Sequence, residues 1–169
     1  LRRVFEDRGQ LAGERDELLE LGFRPELVTA VPNGTDPRFH PGGEKTVQPS
    51  IIAVARLAPV KRLSLLIESA VAARREVPGL TLTIVGTGPE REQLVQQVVD
   101  AEASGWITFT GHLAPDDLVV LYQQAWIVAS ASLAEGWGLS LTEAAGCATP
   151  AVATDIRGHR SSVVDGVTG

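Results

Sequence analysis

From Ser50 onward the apolar positions keep two alternating rhythms. An unbroken apolar run at residues 51–55 predicts a strand buried on both faces, and the largely apolar stretches at 80–85, 106–110, 126–130 and 151–154 predict four more strands. Between them, apolar residues recur at spacings of three and four. Leu63, Leu66, Ile67, Ala70 and Val71 predict a helix over 61–75, and similar patterns predict helices over 89–103, 115–124 and 139–147. Pro89 stands near the first turn of its helix, where a missing N–H costs least, and Asp116 and Asp117 sit at the positive end of theirs. Strand and helix alternate with short links. The predicted fold class is therefore α/β: a parallel sheet with right-handed crossovers and helices on both faces. Ligands in such sheets bind beyond the carboxyl ends of the strands, near a switch in strand order. That singles out the loops after Ala55, Val85 and Ser130.

Residues 1–48 lack this rhythm. Leu18, Leu19 and Leu21 among acidic residues, followed by Gly22, predict a short helix over 14–21 that a glycine ends. The apolar run at 27–31 predicts a short strand. Pro32-Asn33-Gly34-Thr35-Asp36-Pro37 and Pro41-Gly42-Gly43 are turn chemistry.

Composition narrows the classes. The chain has 169 residues, enough for one ordinary domain, with 15 basic and 21 acidic side chains and a net charge of −6. That balance argues against a broad nucleic-acid face, though it permits a local basic pocket. A single cysteine excludes an internal disulfide; Cys147, among Ala144, Ala145, Gly146 and Ala148, is expected in the core, as are Trp106 and Trp126. The three widely spaced histidines form no metal-ligand pattern, and no apolar run approaches the roughly 20 residues of a membrane span.

Three segments could carry chemistry. In Glu135-Gly136-Trp137-Gly138-Leu139-Ser140-Leu141-Thr142-Glu143, two glycines bracket an aromatic residue just before a helix starts. Glycines let the backbone approach a ligand, and the helix N-terminus offers free N–H groups to a phosphate. Glu135 stays in the loop while Glu143 falls about one turn into the helix. The plainer alternative is a capped helix with a solvated glutamate at each end. In Ala55-Arg56-Leu57-Ala58-Pro59-Val60-Lys61, Arg56 and Lys61 could converge on one anion. Two solvated cations are the alternative, but cations at a helix N-terminus are mildly unfavourable unless an anion lies between them. Val85-Gly86-Thr87-Gly88-Pro89-Glu90 starts like a dinucleotide fingerprint, yet Arg91 stands where the third glycine belongs. His112 ends the third predicted strand and reads as an exposed loop residue or part of the cleft. Asp155, Arg157, His159 and Arg160 could touch a ligand, but read first as a charged surface loop.

Together and in this order, these segments resemble the C-terminal domain of the retaining glycosyltransferases of family four, which have GT-B architecture. The resemblance rests on Val31-Pro32-Asn33-Gly34-Thr35-Asp36, the segment from Ala55 to Lys61, Val85 to Glu90, Thr108-Phe109-Thr110-Gly111 and Leu133 to Glu143. Thr149 to Asp155 and Asp165-Gly166-Val167-Thr168-Gly169 complete it. Trp137 stands where phenylalanine is common, Ser140 where proline is, and Arg157-Gly158-His159-Arg160-Ser161 replaces Gly-Gly-x-Pro-Glu.

The resemblance implies a Rossmann-like domain over 31–169, incomplete at its C-terminal end, with 1–30 as a flanking interdomain segment. It implies a nucleoside-diphosphate-sugar donor and hexosyl transfer to a glycan, lipid or small-molecule acceptor held by an N-terminal domain outside this chain. Transfer by the isolated chain is not expected. Arg56, Lys61 and Glu135 take the catalytic roles. Arg56, Lys61 and the backbone of Gly136, Trp137, Gly138 and Leu139 grip the diphosphate, with Gly86 in the neighbouring turn. Glu143 holds the ribose, Glu135 the transferred sugar, and His112 lies in the wall that meets the base. No cofactor, metal or nucleic acid is implied, and the location is cytoplasmic, peripheral at the inner membrane face. A nucleotide-sugar epimerase, a phosphorylase-like domain, a NAD-binding domain and a non-catalytic binding domain are the alternatives.

Overall fold

The computed structural model describes residues 12–29 and 33–169. The chain divides into two compact units between Gly34 and Thr35. In the first, helix α1 spans Ala12–Glu20. Its end has the form the glycine predicts. Gly22 adopts φ +88°, its N–H donates to the Leu19 carbonyl at 2.9 Å, and the Phe23 N–H reaches the Leu18 carbonyl at 3.0 Å. The strand predicted at 27–31 is not formed where the residues are described. Pro25–Leu27 is a 3-10 turn, and Val28 and Thr29 pair with no strand; residues 30 and 31 lie outside the described part. Pro25 sets that turn, and Leu27 is exposed.

The second unit alternates as its sequence does. Its elements are β1 (Ser50–Val54), α2 (Leu63–Glu76), β2 (Thr81–Val85), α3 (Arg91–Asp100), β3 (Ile107–Gly111) and α4 (Pro115–Gln124). Then come β4 (Ile127–Ser130), α5 (Leu139–Gly146), β5 (Ala151–Ala153) and the short α6 (Arg157–Arg160). The strands form one sheet in the order β3-β2-β1-β4-β5, every pairing parallel. This is a Rossmann-like α/β fold. Ile52 of β1 lies opposite Thr83 of β2 on one side and Val128 of β4 on the other.

The apolar run of β1 serves two cores at once, because successive side chains point to opposite faces. Ile51 and Ala53 join Leu82 and Ile84 under α2 and α3, where Leu66, Ile67, Leu94 and Val98 are buried. Ile52 joins Val128 under α4 and α5, with Tyr122, Leu141, Ala144 and Cys147. The core placement of Cys147 follows the sequence reading. Trp126 does not: it is 45% exposed, and its indole N–H donates to the Thr46 carbonyl at 2.7 Å. Trp126 directly precedes β4 at the rim of the sheet, and a polar partner there holds the ring outside. Trp106 packs partly against the first core, with the Arg74 guanidinium 4.7 Å from its ring centre.

Two helices start later than their periodicity suggests. Pro59–Lys61 forms a 3-10 turn, and Arg62 at φ +49° separates it from α2. Pro89 and Glu90 turn before α3, and Glu102 at φ +53° follows its end.

Candidate functional site

Strand order reverses between β1 and β4: from β1 the chain runs outward to β2 and β3, then returns to place β4 on the other side. The loops leaving the carboxyl ends of β1 and β4 therefore diverge over a crevice. The loop after β1 is braced by the loop after β2. The Leu57 N–H donates to the Thr87 carbonyl at 2.9 Å and the Glu90 N–H to the Leu57 carbonyl at 3.1 Å. A Cβ on Gly86 would sit 1.9 Å from the Ala55 carbonyl oxygen, and one on Gly88 would sit 2.3 Å from that of Leu57. The glycines that resemble a dinucleotide fingerprint thus let two loops pack together.

Lys61 ends the turn after β1 and Glu135 lies in the loop after β4. Their side chains meet at 2.5 Å, Lys61 Nζ donating to Glu135 Oε1, with side-chain exposures of 20% and 17%. The anion beside this cation is Glu135. Ser132 Oγ donates to the same oxygen at 2.7 Å. Burial of the Glu135 carboxyl works against its charge. The bonds from Lys61 and Ser132 and the charges of Lys61 and His159 overcome this and hold the carboxyl below its usual range. Arg56 is exposed beside this pair in sequence and, among the described residues, has no ion-pair partner.

The loop from Glu135 enters α5 through Gly138, at φ +85° and ψ +54°, a conformation that favours glycine. The N–H groups of Gly136, Trp137, Gly138, Leu139 and Ser140 donate no backbone hydrogen bond among the described residues. They form the open N-terminal end of the helix. The Trp137 indole nitrogen is buried with no hydrogen-bond partner among them. Glu143 lies one turn into α5 and accepts from Tyr122 Oη at 3.1 Å. Burial raises the Glu143 carboxyl above its ordinary value, and the Tyr122 bond offsets only part of that. Burial, then the Glu143 charge, keeps the Tyr122 phenol protonated. His112 is exposed just past β3, as its loop reading has it.

The segment after β5 is only partly the surface loop expected of it. His159 is 2% exposed and sits in α6, its ring bonded to Ser130 and Thr154. A Cβ on Gly158 would lie 2.2 Å from the Glu135 carbonyl oxygen, so this segment is packed directly under the Glu135 loop. Asp155, Arg157 and Arg160 keep the surface role and are exposed, Asp155 and Arg160 paired at 2.5 Å and 2.8 Å; only His159 departs from it. Ser130, Ser132, Tyr122, Thr154 and His159 are the polar residues of this crevice that sequence reasoning missed. The two serines carried a signal: two apart at a strand's carboxyl end, they point to one side, three residues before Glu135. The one tyrosine, on the apolar stripe of α4, carried another, since a buried phenol needs a partner.

The family model described as glycosyl transferases group 1 matches residues 36–169. The GtfA subunit of the UDP-N-acetylglucosamine–peptide N-acetylglucosaminyltransferase of Streptococcus gordonii is 33% identical over 147 residues, covering 86% of this chain and 28% of that protein. The chain likewise spans well under half the length of other curated relatives. The crystal structure of the pneumococcal O-GlcNAc transferase GtfA in complex with UDP and GlcNAc superposes with a TM-score of 0.76 at 27% identity, over 91% of this chain and 31% of that one. The C-terminal domain of the glycosyl transferase group 1 family protein LpcC from Francisella tularensis superposes with a TM-score of 0.62 at 26% identity, over 71% of this chain and 70% of that one.

Proposed function

The chain belongs to the glycosyl transferases group 1 family, and from that premise we propose that it is the donor-binding domain of a retaining hexosyltransferase that uses a UDP-sugar. The observation that carries this reading is the Lys61–Glu135 pair, which joins the two diverging loops at the strand-order reversal. There a cation, a carboxylate and the open end of a helix share one crevice. UDP as the nucleotude portion draws support from the pneumococcal relative, whose structure holds UDP and GlcNAc.

In this reading Arg56, Lys61 and the N–H groups at residues 136–139 receive the diphosphate. The bond between the anomeric carbon and the β-phosphate oxygen breaks as the acceptor hydroxyl oxygen bonds to that carbon from the same face; negative charge grows on the leaving phosphate, which takes the hydroxyl proton. Fixed positive groups lower that barrier, each worth about 3 kcal/mol where such groups have been removed from other enzymes. Glu143, held by Tyr122, accepts from the ribose hydroxyls, and Glu135 accepts from the transferred sugar once Lys61 turns to phosphate. Gly86 supports the adjoining turn, and His112 lies in the wall facing the base. The Trp137 indole N–H finds its acceptor on the ligand. A second domain holds the acceptor, and no metal takes part.

Calorimetric titration of the chain with UDP, UDP-N-acetylglucosamine, UDP-glucose and NAD tests this. UDP and at least one UDP-sugar bind, the sugar tighter than UDP, and Lys61→Ala weakens both. Binding of NAD without UDP would replace the reading with a dinucleotide-binding one.

A further inference from the structure

Glu135 has two partners, and a ligand acts on them differently. Lys61 Nζ and Ser132 Oγ both bond to Glu135 Oε1, at 2.5 Å and 2.7 Å. Lys61 can turn away: a flexible stem carries its charge, and its three N–H donors suit any anion that arrives. Ser132 is tied down. It is 1% exposed, two residues past β4. Its carbonyl accepts from Thr154 Oγ1 at 2.7 Å, and the N–H of the next residue, Leu133, donates to the Val60 carbonyl at 2.8 Å. The backbone here is thus fastened to the segment after β5 on one side and, on the other, to the turn after β1 that carries Lys61.

The direction of the serine bond follows from its partner. A carboxylate paired with Lys61 has no proton to give, so Ser132 is the donor. The hydroxyl has one proton, committed to Oε1; toward Ser130 Oγ, at 3.2 Å, it can only accept. A bond to a charged acceptor is of the stronger kind and favours the ionised carboxyl. It also depends on nothing that a diphosphate would draw away. When Lys61 turns to phosphate, Glu135 loses its cation and keeps the serine.

We propose that Ser132 is a positioning residue: its anchored hydroxyl holds Glu135 Oε1 after Lys61 has turned to a diphosphate, and so, with Glu135 read as the carboxylate that meets the transferred sugar, keeps Oε2 presented to a sugar hydroxyl. A loop carboxylate without either partner is free to turn to water, and the sugar must then order it again at a cost in affinity.

Two measurements on the chain test it. In the first, Lys61→Ala imitates the state in which the lysine has turned away. The Glu135 carboxyl carbon, identified by its loss in Glu135→Gln, is titrated by NMR in the parent, Ser132→Ala, Lys61→Ala and the double variant. Losing the serine is expected to raise the midpoint whether or not Lys61 is present. His159, whose charge also acts on this carboxyl, is the same in all four chains. A midpoint unmoved by Ser132→Ala in the Lys61→Ala background would mean that the carboxylate leaves the serine together with the lysine, and overturns the assignment. The second measurement is calorimetric titration of Ser132→Ala with UDP and with UDP-N-acetylglucosamine or UDP-glucose, whichever the parent binds. The UDP-sugar should weaken about fivefold to tenfold, the equivalent of one net hydrogen bond, while UDP binds as before. In a Glu135→Ala chain the same serine change should cost nothing further, because the group it acts through is gone. Equal losses for both ligands, no loss for either, or a loss that persists without the Glu135 carboxylate would mark Ser132 as packing only. If the unaltered chain binds neither ligand, the functional reading is what fails, and the carboxyl titration alone then decides whether Ser132 holds Glu135.

Discussion

At the scale of single residues the crevice holds two glutamates in opposite electrostatic states. Glu135 is held below the usual carboxylate range despite its burial, because Lys61 and Ser132 bond to it. Its contribution to stability is present above the unfolded carboxyl value, about 4.3, and is lost as pH falls through the lower folded value. Glu143 is raised by burial, so its charge costs stability as pH rises through its folded value. Glu135→Gln should therefore lower the melting temperature at neutral pH and lose that effect in acid. Glu143→Gln should melt no lower than the parent at neutral pH, the amide oxygen still accepting from Tyr122. Ligand binding divides them again. Glu135→Gln releases Lys61, so UDP should bind at least as tightly, while the extra affinity from the sugar falls by about 1.5–3 kcal/mol. Glu143→Gln should weaken UDP and UDP-sugar alike. If Glu135→Gln weakened free UDP as much as Glu143→Gln does, the division of roles would be wrong. Lys61 and Glu135 were legible in the sequence because a cation at a helix start and a carboxylate beside paired glycines each ask for a partner. That they answer each other was not legible, since 74 positions separate them and only the sheet order brings them together. Nor was His159, because burial of a charged-looking segment depends on what packs above it.

At the scale of elements, periodicity located every strand of the second unit and every helix but the one-turn α6, within a few residues. Four residues, Arg157–Arg160, have no apolar stripe to read. The strand expected at 27–31 is not formed over the described residues 27–29 for the complementary reason: an apolar run becomes a strand only where a neighbour accepts its backbone bonds. What the element scale adds is the stacking of the β5–α6 connection beneath the Glu135 loop. Gly158 is the contact point, because any Cβ there meets the Glu135 carbonyl and its own side chain at under 3 Å. Gly158→Ala must push that loop away, at a cost of about 1–3 kcal/mol for an overpacked site. A melting temperature several degrees lower should accompany loss of UDP-sugar binding. Gly105→Ala, where a Cβ meets nothing within 4 Å, is the matched control and should leave both nearly unchanged. If Gly158→Ala left both unaltered, α6 would not support the site.

At the scale of the whole molecule, a net charge of −6 sets the long-range field against the anion the crevice is proposed to take. On the proposed reading, a diphosphate approaches through repulsion and is held at contact by Arg56 and Lys61. The two forces differ in range, so salt separates them. The screening length falls from about 30 Å at 0.01 M to about 10 Å at 0.1 M, which removes most of the repulsion from distant acidic residues. Attraction at contact, from a Lys61 that is four-fifths shielded from solvent, survives this range and weakens only at higher salt. The affinity for UDP should therefore rise with salt, pass through a shallow maximum and then fall. Replacing Arg56 and Lys61 with alanine removes two positive charges, taking the net charge from −6 to −8. In that double variant only the repulsion remains to be screened, so a much weaker affinity should rise with salt throughout. Titration of UDP at a series of salt concentrations, on the parent and the double variant, reads both curves. A parent affinity that falls steadily from the lowest salt would mean that local cations govern the ligand at every distance. A double variant that follows the parent curve would remove Arg56 and Lys61 from the binding site altogether.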